Sequence, residues 1–390
     1  MLNCSVRIAA CVLLASLSVA AFGQRVSKTR GKTAATKSVA TPAESAADRA
    51  IAARFAPVVY QALGDHPRGD YITNFDFDGD WRGDNNWANA DEKKFPLKAY
   101  VYYSLSETAT HYFVTYAFFH PRDYKGGGVR GALLSEAIGE GVRRGGKYDP
   151  TGLSSEAVLA HENDMEGCLV VVKKNGADAS AGAVVIVETL AHDRFLKYAA
   201  EGFAANGFQR VGVEDGRPLV YVEPKGHGVS AFDAAKRQAD DAAKRQAKPS
   251  ALLVYRFAGR AGDPEEAKEG EVAYELLPLL TTLWPRARRG VGETFGAARA
   301  YRLASLSVRA AGGKPSSRKL NVTAGSAFLG KVGAANMARP PWGWFDREER
   351  AEPAGAWFFD PAGTVKRHFR LGDDFSVQYL YAPFLGVMRR

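Results

Sequence analysis

Short segments rich in Val, Tyr and Phe recur along the chain, and most of them end at residues that favour turns. They cover 98–105, 111–120, 168–174, 182–189, 217–224, 250–257 and 375–385. β-Branched and aromatic side chains favour strands. Helical patterns are local, at 46–60, 131–144, 232–248 and 274–284, and βαβ units do not repeat. The pattern predicts a mainly β chain, folded as a β-sandwich with peripheral helices and helical insertions.

The composition fits one large globular domain. The chain has 390 residues, of which 46% are hydrophobic and 24% are charged, and these values are typical of a protein with a sizeable core. We expect a single domain over 49–390 with insertions near 125–158 and 232–248. The second insertion contains the sequence DAAKRQA at 233–239 and again at 241–247. It has almost no apolar residues, so a solvated helix is predicted there.

The first residues have the pattern of an export signal. Arg7 precedes an apolar stretch from Ile8 to Ala21, which is shorter than the roughly 20 residues of a membrane-spanning helix. We therefore predict a signal peptide over 1–23, a flexible basic leader over 24–48 and a periplasmic or secreted location. A membrane anchor is the alternative.

Removal of the signal would leave a single cysteine, Cys168, in the apolar run GCLVVV. One cysteine cannot form an internal disulfide, and a reactive thiol needs an accessible, electropositive setting. Cys168 is therefore predicted to pack in the core.

The formal net charge is +9, and basic residues are concentrated in the leader and in the repeat insertion. Such segments can attract nucleic acid or anionic lipid. Neither segment has the interleaved aromatic residues on which bases stack. Nucleic acid is therefore not expected as a partner, and the sequence does not indicate an oligomeric state.

The stretch LAHENDMEGCLVVV at 159–172 places several ionisable residues directly before a buried strand. Residues two apart in a strand face the same side, so Asp164 and Glu166 should project together, and His161 in the preceding turn can fold back towards them. Adjacent carboxylates repel each other unless they are protonated, solvated or neutralised. A bound cation would neutralise them; a solvated loop that enters a strand is the alternative.

The pattern does not match the helix-borne zinc motif H-E-x-x-H, because Met165 stands where the second His is required. One His among several carboxylates favours one divalent cation such as Mg²⁺, Ca²⁺ or Mn²⁺ over Zn²⁺. Zn²⁺ would fit better if a second His joined the site.

The stretch H-E-N-D-M-E-G resembles the G-H-R-H-D-W-E-G motif of the necrosis- and ethylene-inducing-like proteins and the H-E-G-D-W-E-G motif of a related fungal vacuolar protein-sorting family. The match falls on His161, Asp164 and Glu166. The segment TYAFFHPRDY resembles the Y-A-W-Y-F-P-K-D segment of the first family and adds Asp123 as a metal ligand. PLVYVEPKGHG resembles V-Y-V-A-x-G-S-H of the second family and adds His227 beside the ligands.

With RFAPVVYQ near the start and PPWGWFD near the end, the resemblance spans roughly residues 54 to 346. It implies a β-sandwich with a divalent cation at one edge and, for the toxins, binding of sphingolipid glycan headgroups and membrane damage. The chain departs from the motifs at Met165, which replaces Trp, and at Asn163, which replaces Gly or His. A long insertion also separates Asp123 from His161. The toxins' target preference therefore does not follow for this chain.

Four further residues are candidates for ligand binding or for support of the metal ligands: Glu162, Asn163, His111 and His120. His111 and His120 lie nine apart on one predicted strand and so face opposite sides. One of them is expected to support the site and the other to be a hydrogen-bonded core residue.

Two aromatic or acidic clusters have alternative interpretations. The stretch FDFDGDWRGDNNW at 75–87 alternates Asp like a calcium loop, but Trp81 occupies the position that an EF-hand reserves for Gly, so a turn-rich loop at the mouth of the site is expected. Trp342, Trp344 and Trp357 are expected to pack in the core, with a sugar-stacking platform as the alternative.

These observations support two functions. The first is an exported, metal-dependent protein that binds a glycan or lipid headgroup and acts on membranes as the resemblance implies. The second is a metal-dependent hydrolase of a phosphodiester or glycosidic substrate, in which His227 or Glu162 moves the proton of a metal-bound water. The chain lacks a complete nucleophile motif such as G-x-S-x-G. A structural envelope protein with an empty site is a third alternative.

The signal peptide leads to a prediction about processing. The mature protein should begin between Ala21 and Gln24, because small residues follow the apolar stretch there. Edman sequencing of the exported protein measures this directly. Retention of Met1 on a membrane-bound product would show that the segment is an anchor.

Overall fold

The structure is a computed structural model, and it describes residues 45–64, 66–123, 161–176, 181–203, 207–235, 251–289, 292–309, 313–330 and 338–389. The predicted signal peptide, the predicted helix at 131–144 and the insertion near 125–158 lie outside these residues. So do most of the leader and most of the 232–248 insertion. The predictions made for these segments stay predictions.

The helices and strands have the following bounds. The helices are α1 Ala46–Arg54, α2 Pro67–Asp70, α3 Asn86–Asn89, α4 Leu283–Ala287, α5 Ala356–Phe359 and α6 Pro361–Phe369. The strands are β1 Val58–Ala62, β2 Tyr100–Thr108, β3 His111–Asp123, β4 His161–Lys173, β5 Ala183–Ala191, β6 Arg194–Ala200, β7 Gln209–Val211, β8 Val213–Glu214, β9 Arg217–Val222, β10 Val229–Ala231, β11 Leu252–Phe257, β12 Glu271–Pro278, β13 Ala298–Arg309, β14 Pro315–Gly325 and β15 Tyr379–Tyr381. Short 3-10 turns occupy Pro264–Glu266, Pro341–Gly343 and Pro383–Leu385.

The chain is mainly β, as the sequence predicts. Within the described residues the strands form one mixed sheet in the order β10-β9-β1-β11-β12-β2-β3-β4-β5-β6-β7. Strands β2 to β6 form an antiparallel meander, whereas β1 is parallel to β9 and β12 is parallel to β2. The sheet curls so that β9 and β10 from one end contact β4, β5 and β7. These contacts make a sandwich of two layers from one sheet.

Helix α1 begins inside the predicted leader and covers part of the sheet. Ser45 caps it, since its hydroxyl accepts a hydrogen bond from the backbone N–H of Asp48 and the Asp48 side chain accepts one from the Ser45 N–H. The buried Tyr116 hydroxyl of β3 donates to the Ala52 carbonyl at 2.6 Å. The helix ends at Arg54 because Pro57 and the strand β1 follow, so only the first part of the predicted helix at 46–60 is helical.

The central strands β3 and β4 are buried along almost their whole length. Trp342, Trp344 and Trp357 are buried in the same core, which confirms the prediction that they pack inside. Cys168 is also buried, as predicted, and burial raises the pKa of its thiol. None of the described helices is both long enough and apolar enough to cross a membrane.

The predicted helix at 274–284 is wrong over most of its length. Strand β12 occupies Glu271–Pro278, and the helix α4 starts only at Leu283. Val272, Tyr274 and Leu276 are buried while their neighbours are not, which is the period-2 pattern of a strand with one face inside. The strand predicted at 375–385 is likewise reduced to Tyr379–Tyr381, because Pro383 starts a 3-10 turn.

His111 lies at the opposite end of β3 from His120 and is a core residue. Its ring is 4.4 Å from that of Phe375, and its Nδ1 atom lies 2.7 Å from the Thr110 hydroxyl. Burial, together with the positive charge of Lys173, lowers the pKa of His111 to about 4. His111 therefore does not belong to the candidate site.

The buried imidazole predicts a loss of stability in acid. The pKa of His111 in the folded protein is below the roughly 6.5 of an unfolded chain, so its contribution is complete above that pH and is lost as the pH falls towards 4. The free energy of unfolding should fall by about 3 kcal/mol through this group between pH 7 and pH 4. Urea unfolding of wild type and His111→Gln at pH 7, 5.5 and 4 measures it. An identical pH dependence in the two proteins would contradict the assignment.

Candidate metal and ligand site

The predicted metal ligands lie where β3 ends and β4 begins. The two strands are antiparallel, and their register places Asp123 opposite His161 and His120 opposite Asp164. His161 is the first residue of β4 and not part of a preceding turn, so the predicted turn is wrong. Because β3 pairs with β4, Asp123 lies next to His161 although the inserted segment separates them in the sequence.

His161 has one ring nitrogen fixed and the other directed at an acid. Nδ1 lies 2.9 Å from the carbonyl of Asn163, and a carbonyl only accepts, so Nδ1 carries the proton. Nε2 lies 3.5 Å from Oδ2 of Asp123, and both side chains are buried. A histidine whose Nδ1–H is held by a backbone carbonyl is typical of metal ligands, which then bind through Nε2.

Asp164 is bonded to His227, and Asp70 holds His227 from the other side. His227 Nδ1 is 2.9 Å from Oδ2 of Asp164, and its Nε2 is 3.2 Å from Oδ1 of Asp70. Burial lowers the pKa of His227, but the hydrogen bonds to Asp164 and Asp70 more than offset this and raise it to about 10. The bond to His227 likewise overcomes the effect of burial on Asp164 and lowers the pKa of that carboxyl. Both ring nitrogens of His227 are therefore engaged by acids, and its ring lies beside the predicted ligand Asp164.

Asp70 was not identified from the sequence, and three groups position it. The backbone N–H of Gly64 donates to Oδ2 at 2.6 Å, and that of Lys225 donates to Oδ1 at 2.7 Å, next to His227 Nε2. Asp70 is the last residue of the four-residue helix α2. The sequence around it, PRGDY, has no pattern that distinguishes it from an ordinary turn.

His120 stacks flat on His227, with ring centroids 3.8 Å apart and an interplanar angle of 5°. Its Nδ1 lies 3.0 Å from the Asp70 carbonyl and so carries the proton. Burial and the charge of His227 lower the pKa of His120 well below its ordinary value, so the ring is neutral. Its Nε2 is buried without a hydrogen-bond partner in the described structure. Of the two histidines considered from the sequence, His120 lies beside the predicted ligands, whereas His111 does not.

Glu166 presents a carboxylate oxygen with unused bonding capacity. Oε1 accepts a hydrogen bond of 2.8 Å from the backbone N–H of His192. Oε2 is buried and has no hydrogen-bond partner within the described residues. Burial and the nearby charge of Asp164 raise the pKa of Glu166 to about 7. An acid of this kind can gain a cation as its missing partner.

The site opens to solvent at His192 and Glu223. His192 Nε2 is 2.7 Å from Oε1 of Glu223, and His192 Nδ1 is 3.5 Å from Oε1 of Glu166. The side chains of His192 and Glu223 are 36% and 41% exposed, so they are the parts of this group that a ligand can reach first. His192 lies in the turn between β5 and β6, and nothing in its local sequence indicated this role.

Glu162 and Asn163 close the other side of the site as structural residues. Asn163 is fully buried; its Nδ2 donates to the carbonyls of Gly83 and Leu329, and its Oδ1 accepts from Asn86 at 2.6 Å. Oε1 of Glu162 accepts from the backbone N–H of Trp87 at 2.6 Å. The predicted turn-rich loop at 75–87 and α3 therefore do cover the site. The side-chain oxygen and nitrogen of Asn163 are both bonded within the protein, and its backbone carbonyl lies 2.9 Å from Nδ1 of His161, so its position fits support of a metal ligand.

Left-handed backbone conformations are concentrated around the site. Of the seven non-glycine residues with positive φ in the described structure, Asn163, His192, Lys225 and His227 belong to it or contact its members. Such conformations cost free energy and persist where the surroundings enforce them, commonly at functional sites. The strain at these four residues supports a functional role for the cluster.

The four predicted ligands occupy one region but do not form one tight cluster. Among the described residues, their ligand atoms are not grouped so that all lie within 4.8 Å of one another. His161 pairs with Asp123, Asp164 with His227, and Glu166 with His192. The donor types fit a hard or intermediate cation, and joint binding by all four would require side-chain rotation.

Comparison with known proteins gives remote structural neighbours only. No protein-family model matches the chain, and no curated protein matches it. Similar solved structures include NLPPya in complex with glucosamine, at 15% identity and a TM-score of 0.27, over 49% of this chain and 71% of that one. Another is Necrosis and Ethylene inducing Protein 2 from the causal agent of cocoa's Witches Broom disease, at 16% identity and a TM-score of 0.26, over 47% and 67%.

A third neighbour is the non-toxic HaNLP3 protein, at 14% identity and a TM-score of 0.23, over 47% of this chain and 68% of that one. These neighbours are necrosis- and ethylene-inducing-like structures, the first of the two families that the sequence resembles. The resemblance to the vacuolar sorting family stays a prediction. Values this low carry no argument about function, which has to come from the residues of the site.

The buried amide of Asn163 gives a stability prediction. Asn163→Ala removes three side-chain hydrogen bonds and places a Cβ without a polar group in a left-handed conformation. The free energy of unfolding should fall by about 3 kcal/mol. Urea denaturation measures the change, with the exposed Asn321→Ala on β14 as the control, which should change it by about 0.5 kcal/mol or less. Equal losses of stability in the two variants would contradict the role assigned to the buried Asn163 amide.

Proposed function

We propose that this protein is an exported, divalent-metal-dependent protein that binds a glycan or a lipid headgroup. The observation that carries the proposal is the buried Oε2 atom of Glu166, which lacks a hydrogen-bond partner beside the ionised Asp164. A buried carboxylate in this setting is stabilised by a cation. The neighbouring His192 and Glu223 give a ligand access to that cation.

The residues that would hold the cation are Asp123, His161, Asp164 and Glu166. They offer oxygen atoms and one imidazole nitrogen, a donor set that suits Mg²⁺, Ca²⁺ or Mn²⁺. The neutral Nε2 of His120 is a second imidazole nitrogen in the same region, so Zn²⁺ belongs in any test. When bound, the ion would supply positive charge and open coordination positions for hydroxyl groups.

A polyhydroxylated ligand suits the mouth of the site. Sugar hydroxyls bind hard cations and also donate hydrogen bonds to carboxylates such as Glu223. An amino sugar would add an ammonium group that these acids attract. Export, periplasmic or extracellular, belongs to this proposal and rests on the signal pattern at 1–23. Action on membranes rests only on the resemblance to the toxins.

The hydrolytic alternative is less well supported by the geometry. It assigned proton transfer to His227 or Glu162. His227 is fully buried with both ring nitrogens bonded to carboxylates, and Glu162 is buried with Oε1 bonded to the Trp87 N–H. A group that transfers protons to a substrate must reach it, so binding is the function that this arrangement favours.

The proposal predicts that metal and sugar binding depend on the same carboxylates. Glu166→Gln and Asp123→Asn should each weaken cation binding roughly 100-fold or more, because each removes a negative charge from the ligand set. Calorimetric titrations with Mg²⁺, Ca²⁺, Mn²⁺ and Zn²⁺ measure this. Glu271→Gln, an exposed carboxylate of β12, is the matched control.

Sugar binding is measured with glucosamine and mannosamine, the ligands named for two of the neighbouring structures, and then with a glycan and lipid array. Binding should disappear with EDTA and in Glu166→Gln. Cation affinity that is equal in wild type and in both site variants would refute the metal site. Sugar binding that persists in EDTA would refute its dependence on metal.

A further inference from the structure

A second group of potential metal ligands lies where the segment after Trp344 meets helix α6. One ligand atom each from Glu349, Glu352 and His368 lies within 4.8 Å of the others. Glu349 and Glu352 lie in the segment between Trp344 and helix α5, and His368 is in the last turn of α6. The group shares no residue with the site at the ends of β3 and β4.

The ring of His368 points between the two carboxylates. Its Nε2 is 2.6 Å from Oε2 of Glu349 and 3.5 Å from Oε2 of Glu352. Although the first distance is short enough for a hydrogen bond, the buried Nε2 makes no aligned hydrogen bond within the described structure. The His368 side chain is only 4% exposed. The three ligand atoms therefore lie around a common point, and Nε2 of His368 makes no well-aligned hydrogen bond there within the described residues.

A fully buried carboxylate fixes the ring from behind. Oε1 of Glu188 lies 2.8 Å from Nδ1 of His368, and its Oε2 accepts from the indole N–H of Trp357. Glu188 is not exposed at all. A carboxylate on the far nitrogen holds the tautomer and orientation that direct Nε2 outwards, as in metal sites where a carboxylate supports a liganding histidine.

Each of the two glutamates is oriented by a cation on its other oxygen. Oε1 of Glu349 contacts the Lys197 ammonium, and Oε1 of Glu352 accepts from the guanidinium of Arg367 at 2.7 Å. In both residues it is Oε2 that faces His368. The two Oε2 atoms face His368, whereas the contacts with Lys197 and Arg367 are made by the two Oε1 atoms.

We infer that Glu349, Glu352 and His368 form a second divalent metal site, which binds through the two Oε2 atoms and Nε2. One imidazole nitrogen and two carboxylate oxygens suit a first-row ion such as Zn²⁺ or Mn²⁺ better than Ca²⁺, which prefers six or more oxygens. Binding replaces the Nε2 proton with the ion and releases that proton. Three protein ligands leave coordination positions for water.

The test separates this site from the one proposed above. In a Glu166→Gln background, Zn²⁺ is titrated by calorimetry into the otherwise intact chain and into chains that also carry Glu349→Gln or Glu352→Gln. One equivalent should bind in that background, and each second substitution should weaken binding at least tenfold. Glu348→Gln, an exposed neighbour paired with Arg194, is the matched control and should leave the affinity unchanged.

Circular dichroism verifies that each variant is folded, and the half-buried position of Glu349 makes loss of the fold unexpected. The visible spectrum of Co²⁺ bound to the wild-type chain is a second measurement. Absorption bands that persist in Glu166→Gln and vanish in Glu352→Gln support the site. No Zn²⁺ binding in the Glu166→Gln background, or affinities that do not respond to either glutamine substitution, would overturn the inference and leave the first site unaffected.

Discussion

The arrangement of the first site depends on the removal of Asp164 from water. A buried carboxylate is strongly unfavourable unless a positive partner is supplied at close range. Here the partner is His227, whose second ring nitrogen is bonded to Asp70. Asp70 is in turn held by backbone N–H groups from two separate loops. One buried charge thus explains why α2 and the turn before β10 converge on the start of β4.

The same dependence gives two neighbouring acids opposite properties. Asp164 is hydrogen-bonded to the ring of His227, and this bond lowers the pKa of the Asp164 carboxyl. Glu166 lies two residues along the strand, receives mainly a backbone N–H, and has its pKa raised to about 7 by burial and by the charge of Asp164. Strand alternation brings the two acids together, and His227 is bonded to Asp164 and not to Glu166. An additional positive charge is what this pair is suited to accept.

Local sequence was sufficient for the parts of the structure that depend on neighbouring residues. Strand alternation correctly predicted that Asp164 and Glu166 lie close together, and the apolar context of Cys168 correctly predicted its burial. His161 was predicted to lie in the turn before the strand, whereas it is the first residue of β4. Its burial becomes favourable only when Asp123 lies opposite, and that pairing is set by the register of β3 with β4.

Asp70, His192 and Glu223 were missed for the same physical reason, since each reaches the site through contacts with residues distant in sequence. The Glu349, Glu352 and His368 group was missed as well, although its charges are differently arranged. Burial lowers the pKa of His368, but Glu188 more than offsets this and raises it to about 10. Lys197 forms an ion pair with Glu349, and Arg367 forms one with Glu352. The carboxylates of this group are paired with positive side chains before any ion binds. Oε2 of Glu166, in contrast, has no hydrogen-bond partner within the described residues. A metal should therefore matter more for the integrity of the first site, and for the second it should compete with a proton that is already well held.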